Sequence, residues 1–271
     1  MTEAEWAEFT KSQEILVCMR FSYFGNSGWK SEFSKDKDLL FAEDRISNRM
    51  SLFAKIPLPS LAAQSDQNFH LFILTSEDLP EWAINILAET AAESLALEQF
   101  TILAAPVGNA RTFLRKFMTK RYGKRPVMQT VLDDDDGLAV DFLASTRVEM
   151  SLLASIDQPM AMRFVSYANG FGLDLGDGDA AEYSLFRHRY PYINLGLTMA
   201  SPSDGQNVFS INHRYAPRKN PCRLVRGVPM YVRTIHQAND SRVSVSEFWK
   251  PIGNWRKSAE ILQQFPYLAD I

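Results

Sequence analysis

Short apolar runs alternate with amphipathic stretches four times in the first 155 residues of the chain, which is the pattern that most constrains its fold. Strands separated by helices in this way favour a mostly parallel sheet with helices on its faces. The predicted strands are 14–21, 69–75, 99–105 and 130–132. The predicted helices are 39–53, a short one ending near 64, one from Asp78 to about 97, 111–122, and one that a run of aspartates opens and that ends near 155.

The second half of the chain has a different pattern, and we predict a mixed arrangement there. Residues 162–167, 183–188 and 229–235 have strand-like composition. Gly170 to Asp179 is rich in glycine and aspartate, so we expect a loop or hairpin turn. Prolines break the remainder into short pieces. The whole chain is therefore predicted to be one α/β domain.

Composition and charge exclude several classes of protein. The 271 residues are 46% hydrophobic and 23% charged, which is ordinary for a soluble globular protein. The net charge of −3 gives no general attraction to nucleic acid, so we expect no nucleic-acid partner. Cys18 and Cys222 are too few and too far apart for a disulfide framework or a zinc site. The N-terminus lacks a signal-peptide pattern and no long apolar run occurs, so we predict a cytoplasmic protein.

Four consecutive aspartates, Asp133 to Asp136, follow the fourth predicted strand. Open α/β sheets bind their ligands at the carboxyl ends of strands, which is where this run falls. An aspartate can cap a helix, but a helix start has too few free donors for four carboxylates. Neighbouring carboxylates repel one another unless a cation joins them, and a divalent metal is the usual one. We therefore predict an exposed acidic run that binds metal or substrate.

A basic segment, residues 111–125, precedes the aspartate strand and contains no acidic residue. Arg111 and Arg115 are one helical turn apart, so both can contact one ligand. Basic groups beside a metal-binding acidic cluster suit a diphosphate. The alternatives are a solvated helix face or a surface that contacts anionic lipid. The seven basic residues are Arg111, Arg115, Lys116, Lys120, Arg121, Lys124 and Arg125.

His236 directly follows the predicted strand 229–235. Histidine binds transition metals and can complete a site that carboxylates begin. The alternative is a hydrogen-bonded structural histidine, and three other histidines compete for the role of metal ligand. Candidates for a general base lie in and after the glycine-rich segment, at Asp177, Asp179 and Glu182.

Several segments resemble the bacterial rhamnosyltransferase family, which is of the GT-A glycosyltransferase type. The likeness runs from about residue 15 to 245, and the acidic run with its flanks is its most specific part. The similar segments are 20–23, 58–69, 74–80, 132–136 with 139–142, and 235–239.

The resemblance implies a GT-A-like domain with a mostly parallel sheet flanked by helices and a mixed C-terminal half. Residues 14–155 would form the nucleotide-sugar-binding half and residues 156–271 the acceptor side. The implied reaction is metal-dependent transfer of a sugar, rhamnose by the family's name, from a nucleoside diphosphate donor. The implied acceptor is a glycan or a lipid-linked hydroxyl compound. Peripheral contact with the inner membrane through residues 111–125 would fit a lipid-linked acceptor.

The resemblance also assigns roles to individual residues. Asp133 and Asp135 match the metal-binding Asp-x-Asp motif, and His236 matches a late histidine that completes the shell around Mn²⁺ or Mg²⁺ in some GT-A families. Because the acidic run is longer than the motif, Asp134 and Asp136 are alternates, and we assign Asp134 to the nucleotide sugar.

Arg20 and Ser76, at the ends of the first two strands, fall where such folds bind the base and ribose. Two rival functions share the aspartates: a metal-dependent phosphohydrolase or nucleotidyltransferase, and a non-catalytic calcium-binding protein.

Overall fold

The structure is a computed structural model that describes residues 1–26, 33–154, 162–176, 183–236, 239 and 249–271, without the side chain of residue 34. The strands in these ranges are β1 Ile15–Arg20, β2 Phe69–Ser76, β3 Phe100–Ala105, β4 Pro126–Val131, β5 Gly137–Leu138, β6 Arg163–Tyr167, β7 Asn169–Asp174, β8 Ser184–Arg189, β9 Thr198–Pro202, β10 Cys222–Val225 and β11 Tyr231–Ile235. The α-helices are α1 Glu3–Ser12, α2 Lys37–Leu40, α3 Glu43–Lys55, α4 Pro57–Ala62, α5 Glu81–Ser94, α6 Ala110–Tyr122, α7 Phe142–Ser151, α8 Ala216–Lys219 and α9 Ala259–Gln264. Short 3-10 helices cover Phe33–Lys35, Leu97–Gln99, Val208–Ser210, Trp255–Lys257 and Pro266–Asp270.

Seven strands form the larger sheet in the order β10-β6-β9-β4-β1-β2-β3. The four strands predicted from the alternation, β1 to β4, lie side by side and are parallel. On the far side of β4, β9 runs antiparallel to both β4 and β6, and β10 is parallel to β6. The predicted mostly parallel α/β sheet is therefore confirmed.

The second sheet has four strands in the order β5-β11-β7-β8. Strand β11 pairs with β7 in parallel and with the short β5 in antiparallel fashion. Because β5 directly follows the aspartates, this sheet brings β11 to the acidic run.

The prediction of a loop at 170–179 is wrong for its first part, because β7 occupies Asn169–Asp174. The glycines there allow close packing rather than a turn. A Cβ at Gly170 would collide with the ring and the backbone oxygen of Tyr231 on the neighbouring strand. Residues 177–179 lie outside the described residues.

Two predicted helix starts are also wrong. The aspartates do not open a helix: they form a turn closed by a hydrogen bond from the amide of Asp136 to the carbonyl of Asp133 (3.3 Å), and α7 begins only at Phe142. Asp78 does not cap α5, since Pro80 occupies the N-cap position. The predicted helix 39–53 is two helices, of which α2 is capped by the Asp36 side chain.

The core consists of two clusters of buried apolar side chains on opposite faces of the larger sheet. Ile15, Val17 and Met19 of β1 belong to one cluster, whereas Leu16 and Cys18 belong to the other. Strands of a parallel sheet covered on both faces are expected to be apolar throughout, as β1 is. The first cluster continues into the second sheet, so the two sheets share one core.

The structure bears on two sequence predictions, one about the cysteines and one about membrane-spanning segments. Cys18 and Cys222 are both free thiols. Among the described helices, none has the length and apolar character needed to cross a bilayer.

Candidate active site

Polar residues collect at the carboxyl ends of the parallel strands. Arg20 ends β1, Ser76 ends β2, and Asp133 lies two residues after β4. The amide of Leu132 donates to the carbonyl of Cys18 at 3.2 Å, which keeps the aspartate turn against the end of β1. This edge is where open α/β sheets bind ligands.

The aspartate turn, residues 133–136, is largely buried, so the expectation of an exposed run is wrong. Asp134, Asp135 and Asp136 have exposed fractions of 0%, 5% and 6%. A buried carboxylate needs a compensating charge or hydrogen bond. The four aspartates are compensated in different ways.

Asp134 forms a buried ion pair with Arg49 of α3. The guanidinium Nε donates to Oδ2 at 2.8 Å, and a second guanidinium nitrogen contacts Oδ1. Both carboxylate oxygens thus face an arginine that is itself only 2% exposed. The structure places Asp134 inside the protein, and its assignment to the nucleotide sugar stays a prediction.

Asp135 and His236 lie side by side although they are 101 positions apart. Nε2 of His236 is 3.0 Å from Oδ2 of Asp135. The side-chain amide of Asn239 lies 3.2 Å from each of these atoms, and its oxygen accepts from the His236 amide at 2.7 Å. Burial acts to raise the pKa of Asp135, but Arg49 at 3.7 Å and His236 outweigh it and lower the pKa.

Asp136 fixes the position of β11. Its Oδ1 accepts a hydrogen bond from the amide of Thr234 at 2.9 Å, two residues before His236. Burial, followed by the charges of Asp135 and Asp133, raises the pKa of Asp136 well above its ordinary value. Asp136 therefore joins the aspartate turn to the strand that carries His236.

Asp133 is the most exposed of the four aspartates, with 32% of its side chain accessible. Its Oδ1 is 3.5 Å from the guanidinium of Arg20, yet this buried atom has no hydrogen-bond partner. Burial raises the pKa of Asp133, with Arg20 opposing and Asp135 adding to the shift.

The donor atoms fit a divalent transition metal in kind. Asp135 and His236 already converge, and Asp133 offers a buried oxygen without a hydrogen-bond partner on the same turn. Two carboxylates and an imidazole suit Mn²⁺ better than Ca²⁺, which prefers oxygen. Within the described ranges, no three His, Cys, Asp or Glu side chains are grouped as a ready metal site. Binding would therefore require Asp133 to move toward the Asp135–His236 pair.

Arg20 and Ser76 lie at neighbouring strand ends, as the sequence predicts. The Arg20 guanidinium lies over the ring of Phe209 at 5.0 Å and is only 7% exposed. The Ser76 hydroxyl is buried and has no hydrogen-bond partner. Their proposed contacts with the base and ribose stay predictions.

Arg111 and Arg115 are exposed on α6, and no contact links either of them to the aspartates within the described part of the chain. Arg115 lines a shallow surface depression with Asp204. Asp204 follows Pro202, which pairs with Pro126 at the opposite end of β4 from the aspartates. The structure therefore does not bring Arg115 to the aspartate turn, because α6 runs back toward the amino ends of the strands. Arg111, in the first turn of α6, stays a candidate for the diphosphate.

The base candidates Asp177, Asp179 and Glu182 lie outside the described residues. The residues before them are described: Asp174, the last residue of β7, pairs with Ile235. The amide of Leu175 donates to the Ile235 carbonyl at 3.1 Å. The chain therefore leaves β7 directly beside His236.

Sequence reasoning missed the contributions of Arg49 and Asn239. Arg49 carries no local signal, since its partner is 85 positions away. Asn239 lies in a segment that resembles the family, but only the hydrogen bonds to Asp135 and His236 give it a role.

Comparisons with known proteins gave a family match. The model of the family described as "Putative rhamnosyl transferase" matches residues 13–247. A search of curated proteins gave no match.

Three similar solved structures all have TM-scores below 0.5, so no further argument rests on them. Two are S. aureus TarS chains, with 11% and 12% identity and TM-scores of 0.44 and 0.43. Each match covers 82% of this chain, but the chain spans only 37% and 60% of those two proteins. The third is described as a "Putative Glucose-1-Phosphate Thymidylyltransferase" from Bacillus anthracis in complex with sucrose. It has 9% identity, a TM-score of 0.39, and coverage of 80% of this chain and 88% of its own.

Proposed function

Because the chain belongs to the rhamnosyl transferase family and is therefore a glycosyltransferase, we propose that it uses a divalent cation and a nucleoside diphosphate sugar. The observation that carries this proposal is the contact between Asp135 and His236 at the carboxyl edge of the sheet. A carboxylate and an imidazole from distant parts of the chain meet there, beside two further carboxylates and Arg20. A purely structural salt bridge needs only one carboxylate and one cation, not several carboxylates and a histidine together.

Asp135 and His236 would hold the cation, with Asp133 as the third protein ligand. A bound Mn²⁺ or Mg²⁺ would stabilise the negative charge that develops on the departing diphosphate. Asn239 orients His236 by accepting from its amide and contacting its Nε2. Because Nε2 is also the atom that faces Asp135, the side-chain amide of Asn239 would give up its contact with Nε2 when a cation binds there.

Arginines supply the remaining positive charge at this edge. Arg20 lies between Phe209 and Asp133, so it is held close to the place where a diphosphate would lie. Arg49 is committed to Asp134 and cannot reach a ligand without breaking that ion pair. Arg20, with Arg111 at the start of α6, is therefore the better candidate for charge-assisted contacts with the donor.

The acceptor hydroxyl must lose a proton during transfer. If the reaction inverts the sugar, a carboxylate takes that proton, and we propose Asp177, Asp179 or Glu182 for this role. The described residues just before them, Asp174 and Leu175, lie beside Ile235 of β11, which supports the choice. If the reaction retains the sugar configuration, the departing phosphate can accept the proton instead.

The acceptor is proposed to be a glycan or a lipid-linked compound, and rhamnose is the first sugar to test because of the family's name. Contact with anionic lipid through the basic segment 111–125 is part of this proposal. Arg121 pairs with Glu14 at 2.8 Å, but Arg111, Arg115, Lys116, Lys120 and Lys124 are exposed. Exposed cations on one segment suit an anionic membrane surface.

A thermal-shift screen tests the proposed function. Nucleoside diphosphates and nucleotide sugars are added with and without Mn²⁺ to wild-type protein, Asp135→Asn and the control Asp204→Asn. At about 100-fold excess over Kd, the wild type is expected to gain about 5 °C in Tm only when Mn²⁺ and a nucleotide are both present. Asp135→Asn should lose this gain, whereas the exposed Asp204 is far from the site and its replacement should not.

Three outcomes would contradict the proposal. Full nucleotide stabilisation after exhaustive chelation would remove the metal from the account. Stabilisation by Ca²⁺ with none by any nucleotide would indicate a calcium-binding protein. Turnover of nucleoside triphosphates or phosphate esters without an acceptor would indicate a phosphohydrolase or nucleotidyltransferase.

A further inference from the structure

The C-terminal segment, residues 259–271, lies beyond the part of the chain that the family model matches. It comprises α9 and the 3-10 helix Pro266–Asp270. Phe265 and Leu268 are fully buried, and Tyr267 is 4% exposed. A terminal segment that is packed this deeply contributes to whatever it covers.

One contact surface of this segment is the chain that follows the aspartate turn. The carbonyl of Gln264 accepts a hydrogen bond from the amide of Val140 at 2.9 Å. Tyr267 packs directly on Gly137, the residue after Asp136, so closely that any side chain at position 137 would collide with its ring and hydroxyl. The segment therefore limits where the aspartate turn can lie.

Its second contact surface is the small sheet that carries His236. The Gln264 side-chain amide donates to the carbonyl of Pro229, two residues before β11. The ring of Phe265 meets that of Phe171 on β7 edge to face, with centroids 5.5 Å apart. Since β7 pairs with β11, the same few residues hold both the aspartate turn and the strand that leads to His236.

We propose that the C-terminal segment is a clamp that sets the spacing between Asp135 and His236, with Gln264 and Tyr267 as positioning residues. Gln264 contacts both the chain after the aspartate turn and the chain before β11. Its backbone carbonyl accepts from the amide of Val140, and its side-chain amide donates to the carbonyl of Pro229. The clamp rests on the proposed function in that it takes Asp135 and His236 as the pair that binds the cation.

The Tyr267 ring, rather than its hydroxyl, performs this role. The hydroxyl is buried without a hydrogen-bond partner, so its removal breaks no hydrogen bond. Tyr267→Phe is therefore expected to leave the clamp intact, whereas Tyr267→Ala removes the packing on Gly137. Gln264→Ala is a milder variant that removes only the hydrogen bond to Pro229 and retains the core.

Hydrogen exchange at the Thr234 amide tests the clamp without any ligand, because this amide donates to Asp136. In Tyr267→Ala and Gln264→Ala, exchange at Thr234 should be about tenfold faster than in wild type, while exchange at Phe72 in β2, whose side chain belongs to the other core cluster, changes much less. Tyr122→Ala is the matched control, since it removes a buried tyrosine from that other cluster. It should accelerate Phe72 at least as much as Thr234. Equal acceleration of both amides in Tyr267→Ala and Gln264→Ala would overturn the clamp.

Binding of Mn²⁺ alone, followed by electron paramagnetic resonance, separates the clamp from the proposed function. If the clamp is right, Tyr267→Ala and Gln264→Ala should weaken Mn²⁺ binding about tenfold while Tyr267→Phe binds as wild type does. Absence of Mn²⁺ binding in wild type, with selective exchange at Thr234, would retain the clamp and reject the proposed metal. Unchanged Mn²⁺ affinity in both Ala variants would overturn the positioning role.

Discussion

Arg49 lies on α3, 85 positions before the aspartate that it neutralises. The pair is buried on both sides, with 3% and 0% of the two side chains accessible. Removing one partner of a buried pair leaves a charge that neither water nor a counter-ion stabilises. Arg49 is thus the residue that allows the aspartate turn to be buried.

We expect Arg49→Met to lower the free energy of unfolding by about 3–5 kcal/mol, because the buried carboxylate of Asp134 loses the guanidinium that faces both of its oxygens. Urea denaturation of the variant measures this loss. The double variant Arg49→Met/Asp134→Leu should recover part of this loss, since the Asp134 charge is then gone although Asp135 still lacks its contact with Arg49. The control is Arg121→Met, whose pair with Glu14 is partly exposed and should contribute about 1 kcal/mol at most. Equal losses from Arg49→Met and Arg121→Met would contradict the account.

His188 gives the protein a predictable sensitivity to acid. Burial, with a smaller contribution from Arg233, lowers the pKa of His188 to about 4, and its Nδ1 lies 2.9 Å from the Tyr231 hydroxyl. Between pH 6.5 and 4 the unfolded state binds a proton that the folded state does not. The stability from the neutral imidazole is therefore complete above pH 6.5 and is lost as the pH falls toward 4.

We expect this histidine to account for about 2–3 kcal/mol of the stability lost between pH 7 and pH 4. The measurement is chemical denaturation at several pH values on wild type and His188→Gln, whose side chain does not titrate. The variant should be less stable at pH 7 but should lose less stability on acidification. Parallel pH profiles would show that His188 does not titrate as the geometry implies.

At this scale the sequence identified the important residues but not their partners. Asp133 to Asp136 and His236 stand out by charge clustering and by position after strands. The partners of the aspartates come from 85 positions away (Arg49 and Asp134) to 113 positions away (Arg20 and Asp133, 133 − 20), so no local pattern predicts them. Arg20 and Arg49 partly relieve the repulsion expected among the four carboxylates. From the sequence, we had expected a metal ion to relieve it.

At the scale of elements, β7 shows how glycine can mislead. Gly170 and Gly172 favour a loop in the sequence, yet both lie within a strand. Gly170 is required because Tyr231 crosses over it, whereas a Cβ at Gly172 would make only ordinary contacts with Ile235 and Trp249 at 3.4–3.5 Å. The distinction depends on neighbours that the sequence does not reveal.

We expect Gly170→Ala to destabilise the protein by about 1–3 kcal/mol, because the new methyl group must displace the Tyr231 ring or backbone. Gly172→Ala is the matched control in the same strand and should cost less than about 1 kcal/mol. Thermal and urea unfolding of both variants measure the difference. If the two substitutions cost the same, Tyr231 is not packed on Gly170 as described.

Strands β1, β2 and β3 were predictable because each is a mostly apolar run of six to eight residues that a helix follows, whereas the prediction 130–132 covered only the end of β4. The short strands β5, β9 and β10 were not predictable. β5 has only two residues, and Pro202 and Pro221 lie in or beside the other two. β5 and β10 pair with longer strands at the edges of their sheets, and β9 pairs with both β4 and β6. Tertiary context of this kind overrides local propensity.

At the scale of the whole molecule, the candidate active site lies where the two sheets meet. The aspartate turn follows β4 of the larger sheet, and His236 follows β11 of the smaller sheet. One apolar cluster joins both sheets, so their relative position is fixed by the core. The sequence pointed to a sheet edge and to a histidine, but only the shared core explains why they meet.

The central claim is that His236 and Asp135 bind one divalent cation, and pulsed electron paramagnetic resonance of bound Mn²⁺ tests it most directly. The chain has four histidines, so a coordinated imidazole nitrogen can be assigned by substitution. Spectra are recorded with a nucleoside diphosphate present, on wild type, His236→Ala and the control His213→Ala.

The account predicts a nitrogen coupling from a directly bound imidazole in wild type and in His213→Ala, and its loss in His236→Ala. Metal-bound wild-type protein without any nitrogen coupling, or a coupling that persists in His236→Ala, would contradict it.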